Sequence, residues 1–203
     1  MGEEKGRPLP DDFDLLEQFN AGDEAAFAAV LARWEKPLFN FIYRLIRERT
    51  EAEDIEQEVF LKLAAAADGL KRQAKFSSYL YRIAYNLCID RLRRRAARGN
   101  AGSPESLEAI TQTEEGEAMK RQLADPADLP ADLLRERRDA ERAVSAALGN
   151  LPENQRAAIA LKIYEDRSYS EIAEILGVTV PAVESLLFRA RQSLKTSLKP
   201  PAE

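Results

Sequence analysis

Apolar residues recur at three- and four-residue spacing along nearly the whole 203-residue chain, with no sustained apolar/polar alternation and no Asn-Gly hairpin signal. A chain patterned this way can bury its apolar stripes only by packing helix on helix, so an all-α fold is expected. In the first half, Phe13, Leu16 and Phe19 mark a short helix broken at Gly22-Asp23. A helix from about Asp23 to Arg33 leads, beyond Pro37, into the stripe Leu38, Phe41, Ile42, Leu45 and Ile46. Thr50 is placed to cap a helix that opens on Glu51, Glu53 and Asp54, where the helix dipole favours anions; it buries Ile55, Val59 and Leu63 and stops at Asp68-Gly69. A helix from about Phe76 to Ala97 carries the stripe Phe76, Leu80, Ile83 and Leu87, with Tyr81, Tyr85, Cys88 and Leu92 beside it.

The stretch from Gly99 to about Asp139 differs in kind. Gly, Ser, Pro and acids dominate it, and its apolar residues are too sparse for a core, so it reads as an acidic flexible linker. The expected organisation is therefore two small helical domains, residues 13–98 and 140–199, joined by a linker over 99–139, with polar tails at 1–12 and 200–203.

In the second domain, Leu151-Pro152 opens a helix carrying Ile159 and Ile163. Ser168 to Glu171 forms an S-x-x-E capping box for a short helix burying Ile172, Ala173 and Leu176, and Gly177 supplies its C-cap. Thr179 then caps a longer helix with Pro181 in its first turn and Val183, Leu186, Leu187, Ala190 and Leu194 along one face. Short helix, Gly turn and longer helix is the grammar of a helix-turn-helix, whose second helix enters a major groove.

Composition removes several classes of function. The chain has no His and one Cys, Cys88, so a His-based triad, a His-ligated metal, an internal disulfide and a multi-thiolate zinc site are all excluded. Cys88 lies on an apolar helix face and is expected to be a small buried hydrophobe. No carboxylate constellation for catalysis stands out; a binding protein rather than an enzyme is expected, with no cofactor or metal. No apolar run reaches the ~18 residues of a membrane span, and Met1 to Asp14 carries acids where a signal peptide would be basic and apolar, which points to the cytoplasm and no membrane contact.

The net charge of -5 argues against a nucleic-acid ligand until its distribution is considered. Between Lys71 and Arg98 nine basic residues face Asp90 alone, whereas eleven acids and five bases lie between Ala101 and Glu141. Phosphates respond to such a local surface, because screening confines the field to about 10 Å. These features alone leave open a helix-turn-helix regulator acting on duplex DNA, and a helical adaptor or anti-regulator whose basic segment binds an acidic protein.

Two runs of residues narrow the choice. Ala52-Glu53-Asp54-Ile55-Glu56-Gln57-Glu58-Val59-Phe60-Leu61, followed by Phe76 to Asp90 and Leu92-Arg93-Arg94-Arg95, resembles region 2 of bacterial sigma-70 factors of the extracytoplasmic-function group. Leu151-Pro152 with Arg156, Tyr169 to Val178 and Phe188-Arg189-Ala190-Arg191 resembles region 4 of the same group.

The resemblance implies a promoter-specificity subunit that holds RNA polymerase core, through the β′ coiled coil and the β flap, and binds promoter DNA. An anti-sigma factor is implied as a further partner. On the region 2 pattern, Asp54, Gln57, Glu58 and Leu61 would grip core. Lys71, Arg72 and Lys75 would lie in the loop that captures a flipped base of the minus-ten element; Tyr79 and Asn86 flank it, and Arg91, Arg93, Arg94 and Arg95 would neutralise adjoining phosphates. Relatives usually carry Trp where this chain has Tyr79, which leaves a smaller stacking surface, and Phe76 is expected in the core. On the region 4 pattern, Pro181, Ala182, Ser185, Phe188 and Arg189 would contact the minus-thirty-five element. Glu184 and Leu186 stand where relatives often have Lys or Arg, so this domain's duplex affinity is expected to be modest.

Overall fold

The computed structural model describes residues 10–70, 72, 75–98 and 131–198. Among them are eight α-helices and no strand: α1 (Asp12–Asn20), α2 (Glu24–Ile46), α3 (Arg49–Ala66), α4 (Phe76–Ala97), α5 (Ala131–Gly149), α6 (Glu153–Ile163), α7 (Tyr169–Leu176) and α8 (Val180–Ser197), with a 3₁₀ turn at Ala67–Gly69 after α3. The fold is all-α, as its periodicity requires.

Local chemistry fixes most of the ends. Asp11 and Asp14 close α1 with a reciprocal capping box, at 2.8 and 3.2 Å. Ser168 and Glu171 do the same for α7, which ends on Gly177 in the left-handed region at φ 66°. Thr179 caps α8 with Pro181 in its first turn.

Two expectations are corrected. The residues on either side of Pro37 form one continuous helix, α2. Proline there deprives only the carbonyl of Arg33 of its partner, and Arg33 is exposed to solvent. The stripe Val30, Leu38, Phe41, Ile42 and Leu45 stays in register and buried, which outweighs that one bond. The cap of α3 is Glu48, whose carboxylate accepts from the N–H groups of Thr50 and Glu51 at 2.9 and 2.6 Å, so Thr50 lies inside the first turn. Helix α5 begins at Ala131, within the stretch read as linker.

Aromatic rings organise the front of the core. Tyr81 of α4 meets Phe41 edge-on at 5.1 Å and Trp34 at 6.1 Å, and Phe76 touches Trp34 at 5.8 Å and Phe13 at 5.9 Å. Phe76 is a core residue, as expected. The face of α4 bearing Ser78, Tyr81, Tyr85 and Cys88 is more deeply buried than the stripe of Ile83 and Leu87. The reason is tertiary: α7 packs on α4 and α6 packs on α2, so the buried residues of the front and rear helices form one continuous cluster.

Candidate nucleic-acid interface

The spacing of Asp54, Gln57, Glu58 and Leu61 on α3 puts all four on the face opposite the buried Ala52, Ile55, Val59 and Leu63. All four are exposed, and Leu61 is a large apolar side chain left 70% accessible. Glu58 reaches Lys62 at 3.4 Å, an exposed pair worth little, so the face remains acidic around one apolar knob.

The basic segment is assembled differently. Lys71 lies outside the described residues. Arg72 is gripped by the carboxylates of α1 and its cap: Asp11 at 3.1 Å, Glu17 at 3.4 Å, and Asp14. The Arg72 hydrogen bond holds the Asp14 carboxyl below its ordinary range. Lys75 pairs with Glu171 of α7 at 3.1 Å. Arg91 and Arg95 both approach Glu51, at 3.8 and 3.3 Å, and Arg95 also donates to the carbonyl of Ile46. Tyr79 is half-buried under the guanidinium of Arg82 at 5.7 Å. Asn86, Arg93 and Arg94 are exposed, with no ion pair to either arginine among the described residues.

Helix α8 presents a simpler surface. Val183, Leu187 and Ala190 seal its inner face. Pro181, Ser185, Phe188 and Arg189 lie on the outer side, with Ala182 partly covered at the first turn. Phe188 is 63% exposed, and the Ser185 hydroxyl donates to the carbonyl of Pro181 at 3.0 Å. Thr179 Oγ1 accepts from the Ala182 N–H at 3.4 Å, which fixes the start of this helix.

A further cluster lies between the front and rear helices, and no local pattern in the sequence marks it. Glu165 accepts from Tyr81 Oη at 2.5 Å and pairs with Arg44 at 3.6 Å, and Arg44 stacks on Tyr164 at 3.8 Å. Arg167 donates to Ser77 Oγ at 2.8 Å and lies 5.1 Å from the Tyr81 ring. Tyr85 Oη donates to Asn154 at 2.7 Å. Burial pushes the Tyr81 phenol above its ordinary range, with the neighbouring Glu165 charge adding to it, and burial lowers Arg44. The Glu171 carboxyl is held down to about 2, chiefly by the Ser168 hydroxyl and also by Lys75. These residues come from four helices and a loop, so only the tertiary fold brings them together.

Comparison with known proteins places this arrangement. Residues 30–98 match the family described as Sigma-70 region 2, and residues 141–194 match Sigma-70, region 4. The chain is 32% identical over 185 residues to the ECF RNA polymerase sigma factor SigW of Bacillus subtilis (strain 168), covering 91% of this chain and 95% of the relative. It is 30% identical over 186 residues to the ECF RNA polymerase sigma-E factor of Escherichia coli (strain K12), covering 92% and 93%. Among solved structures it resembles CnrH in complex with the cytosolic domain of CnrY, with a TM-score of 0.63 and 25% identity over 94% of this chain and 99% of the other.

Proposed function

The chain belongs to the extracytoplasmic-function group of the sigma-70 family, and on that premise we propose how its surfaces divide the work of a sigma factor. It binds RNA polymerase core and directs promoter-specific transcription initiation. A polymerase-independent regulator or an adaptor would leave the match of residues 30–98 without a purpose.

In this reading the α3 face docks on core. The observation that carries it is Leu61, exposed at the edge of Asp54, Gln57 and Glu58 on a helix whose other side is sealed. A basic, partly apolar helical partner such as the β′ coiled coil suits that surface, and the rear helices meet the β flap. The loop before α4, with Lys71, Arg72, Lys75 and Tyr79, captures an unstacked minus-ten base, and Asn86, Arg91, Arg93, Arg94 and Arg95 follow the adjoining strand. Pro181, Ala182, Ser185, Phe188 and Arg189 of α8 read the minus-thirty-five duplex, with Phe188 suited to a thymine methyl and Arg189 to a guanine edge. Residues 13–98 and 140–199 are the two working domains of this scheme, tethered by residues 99–139.

Sigma factors as a class are not enzymes, and this chain is proposed to catalyse no reaction of its own and to act in the cytoplasm, where polymerase works. No helix among the described residues is long and apolar enough to cross a membrane. CnrH is solved with the cytosolic domain of CnrY, and a comparable anti-sigma partner is proposed here.

The test is to incubate core polymerase and the chain with fragmented genomic DNA and map transcript starts. Reproducible starts sharing two spaced motifs are expected. Starts that are absent, or identical with and without the chain, would overturn the reading.

A further inference from the structure

Every nitrogen of the Arg72 guanidinium donates to a carboxylate of α1 or its cap: Nε to Glu17 at 3.4 Å, Nη1 to Asp11 at 3.1 Å, and Nη2 to Asp14. The ring of Phe13 lies 5.8 Å from the same guanidinium. Three negative charges thus surround one positive charge, and a DNA phosphate brought to this cation would meet net repulsion.

We infer that α1 is a positioning element for capture of the minus-ten base: Asp11, Asp14 and Glu17 hold Arg72 as the anchor of the connection between α3 and α4, and Arg72 acts through that grip, not by touching DNA. This deepens the minus-ten role proposed above and rests on it. The described residues of the connection lean on α1 at three points. The 3₁₀ turn at Ala67–Gly69 packs on it, Arg72 is gripped by it, and Phe76, which opens α4, meets Phe13 edge-on at 5.9 Å. Helix α1 lies ahead of residues 30–98, so the match to region 2 gives it no part in this work.

Helix α1 is itself fixed well enough to serve as a support. Leu15 and Leu16 are buried, and Arg33 of α2 ties its start through Asp12 at 2.6 Å and the Pro10 carbonyl at 3.1 Å. Capturing a base requires the connection to hold one arrangement, and ordering done before DNA arrives does not subtract from its binding. Exposed ion pairs are individually weak, and the Arg72 side chain is about half exposed. Three pairs on one planar fork share a single loss of side-chain freedom, which is the source of their combined effect.

The test uses holoenzyme assembled from core and the full chain, on a duplex promoter taken from the mapped starts, with 2-aminopurine at a minus-ten position; its emission rises as the base leaves the stack. Arg72→Gln and Asp14→Asn/Glu17→Gln should each slow that rise about fivefold, and the triple variant should be no slower than either, since both remove the same grip. A parent-like or faster rise in the carboxylate variant would make these acids bystanders or competitors of DNA and overturns the inference. On forked minus-ten DNA, Arg72→Gln should keep the parent's salt slope; a fall of about 1 marks a lost phosphate contact and also overturns it. All variants should co-elute with core, and one that does not would show α1 serving the fold alone, against the inference. Should circular dichroism show the cap of α1 frayed in the paired variant, Glu17→Gln, outside the capping box, is read instead, with a slowing of about twofold expected. A parent holoenzyme that gives no rise would instead overturn the minus-ten role beneath the proposal, so the two failures are separable.

Discussion

The outer face of α8 and the basic face of α4 are both suited to nucleic acid, yet they stand in opposite conditions. On α8, Phe188 and Arg189 project into solvent from a helix sealed below by Val183, Leu187 and Ala190. On and before α4, Arg72, Lys75, Arg91 and Arg95 are each held by a carboxylate of the chain itself, whereas Arg93 and Arg94 are exposed and carry no ion pair among the described residues. The contrast separates two quantities. Charge counted along a sequence gives what a surface could hold, and pairing in the fold decides how much of it is available.

The largest expected effect is on stability. Leu80→Ala on α4 removes a fully buried side chain and should cost about 2–5 kcal/mol in urea unfolding, whereas Phe188→Ala on α8 should stay within about 0.5 kcal/mol. A cost above about 2 kcal/mol for Phe188→Ala would show that α8 is packed in solution, and the contrast would fail.

Binding comes next. Arg93→Ala/Arg94→Ala should flatten the salt dependence of holoenzyme binding to forked minus-ten DNA by a slope of about 2, measured by fluorescence anisotropy from about 50 to 200 mM salt. An unchanged slope would mean that the open part of α4 touches no phosphate. Arg189→Ala should weaken initiation by about 1–3 kcal/mol at promoters that depend on the upstream element and leave the others unaltered. A uniform loss across promoters would make Arg189 a backbone contact rather than a reader of bases.

The smallest effect is a pH dependence unique to the paired side. Glu171 titrates at about 2 in the fold against 4.5 in its ordinary state, so the stability its ionised form confers is complete above about pH 4.5 and is lost as pH falls toward 2. Between pH 6 and pH 3 the melting temperature of the parent chain should therefore fall further than that of Glu171→Gln. Equal falls would contradict the pairing of Glu171 with Ser168 and Lys75.

Much of this molecule is written in short-range pattern. The helix-turn-helix was legible because its signals are local: Ser168 with Glu171, Gly177, Thr179 and Pro181 each act within a few residues. The buried sides of α3 and α8 followed from 3.6-residue periodicity, whereas the roles given to the residues opposite them came with the family resemblance. Pro37 misled because its local cost is overridden by buried contacts on both sides of it, and Glu48 displaced Thr50 because a longer side chain can also reach back to two N–H groups. The cluster of Arg44, Tyr81, Glu165 and Arg167 was invisible, since its members lie up to 123 positions apart in the numbering and the packing of α6 on α2 and of α7 on α4 unites them. For the same reason the basic segment looked freer than it is: its carboxylate partners come from α1, α3 and α7.

The most direct test of the core-docking face is co-elution with core polymerase on gel filtration. The parent chain should run with core, and Asp54→Lys/Glu58→Lys, whose substitutions lie on the exposed side of α3, should fold normally and run alone. If the charge-reversed chain still runs with core, the face built around Leu61 is not where this protein meets polymerase.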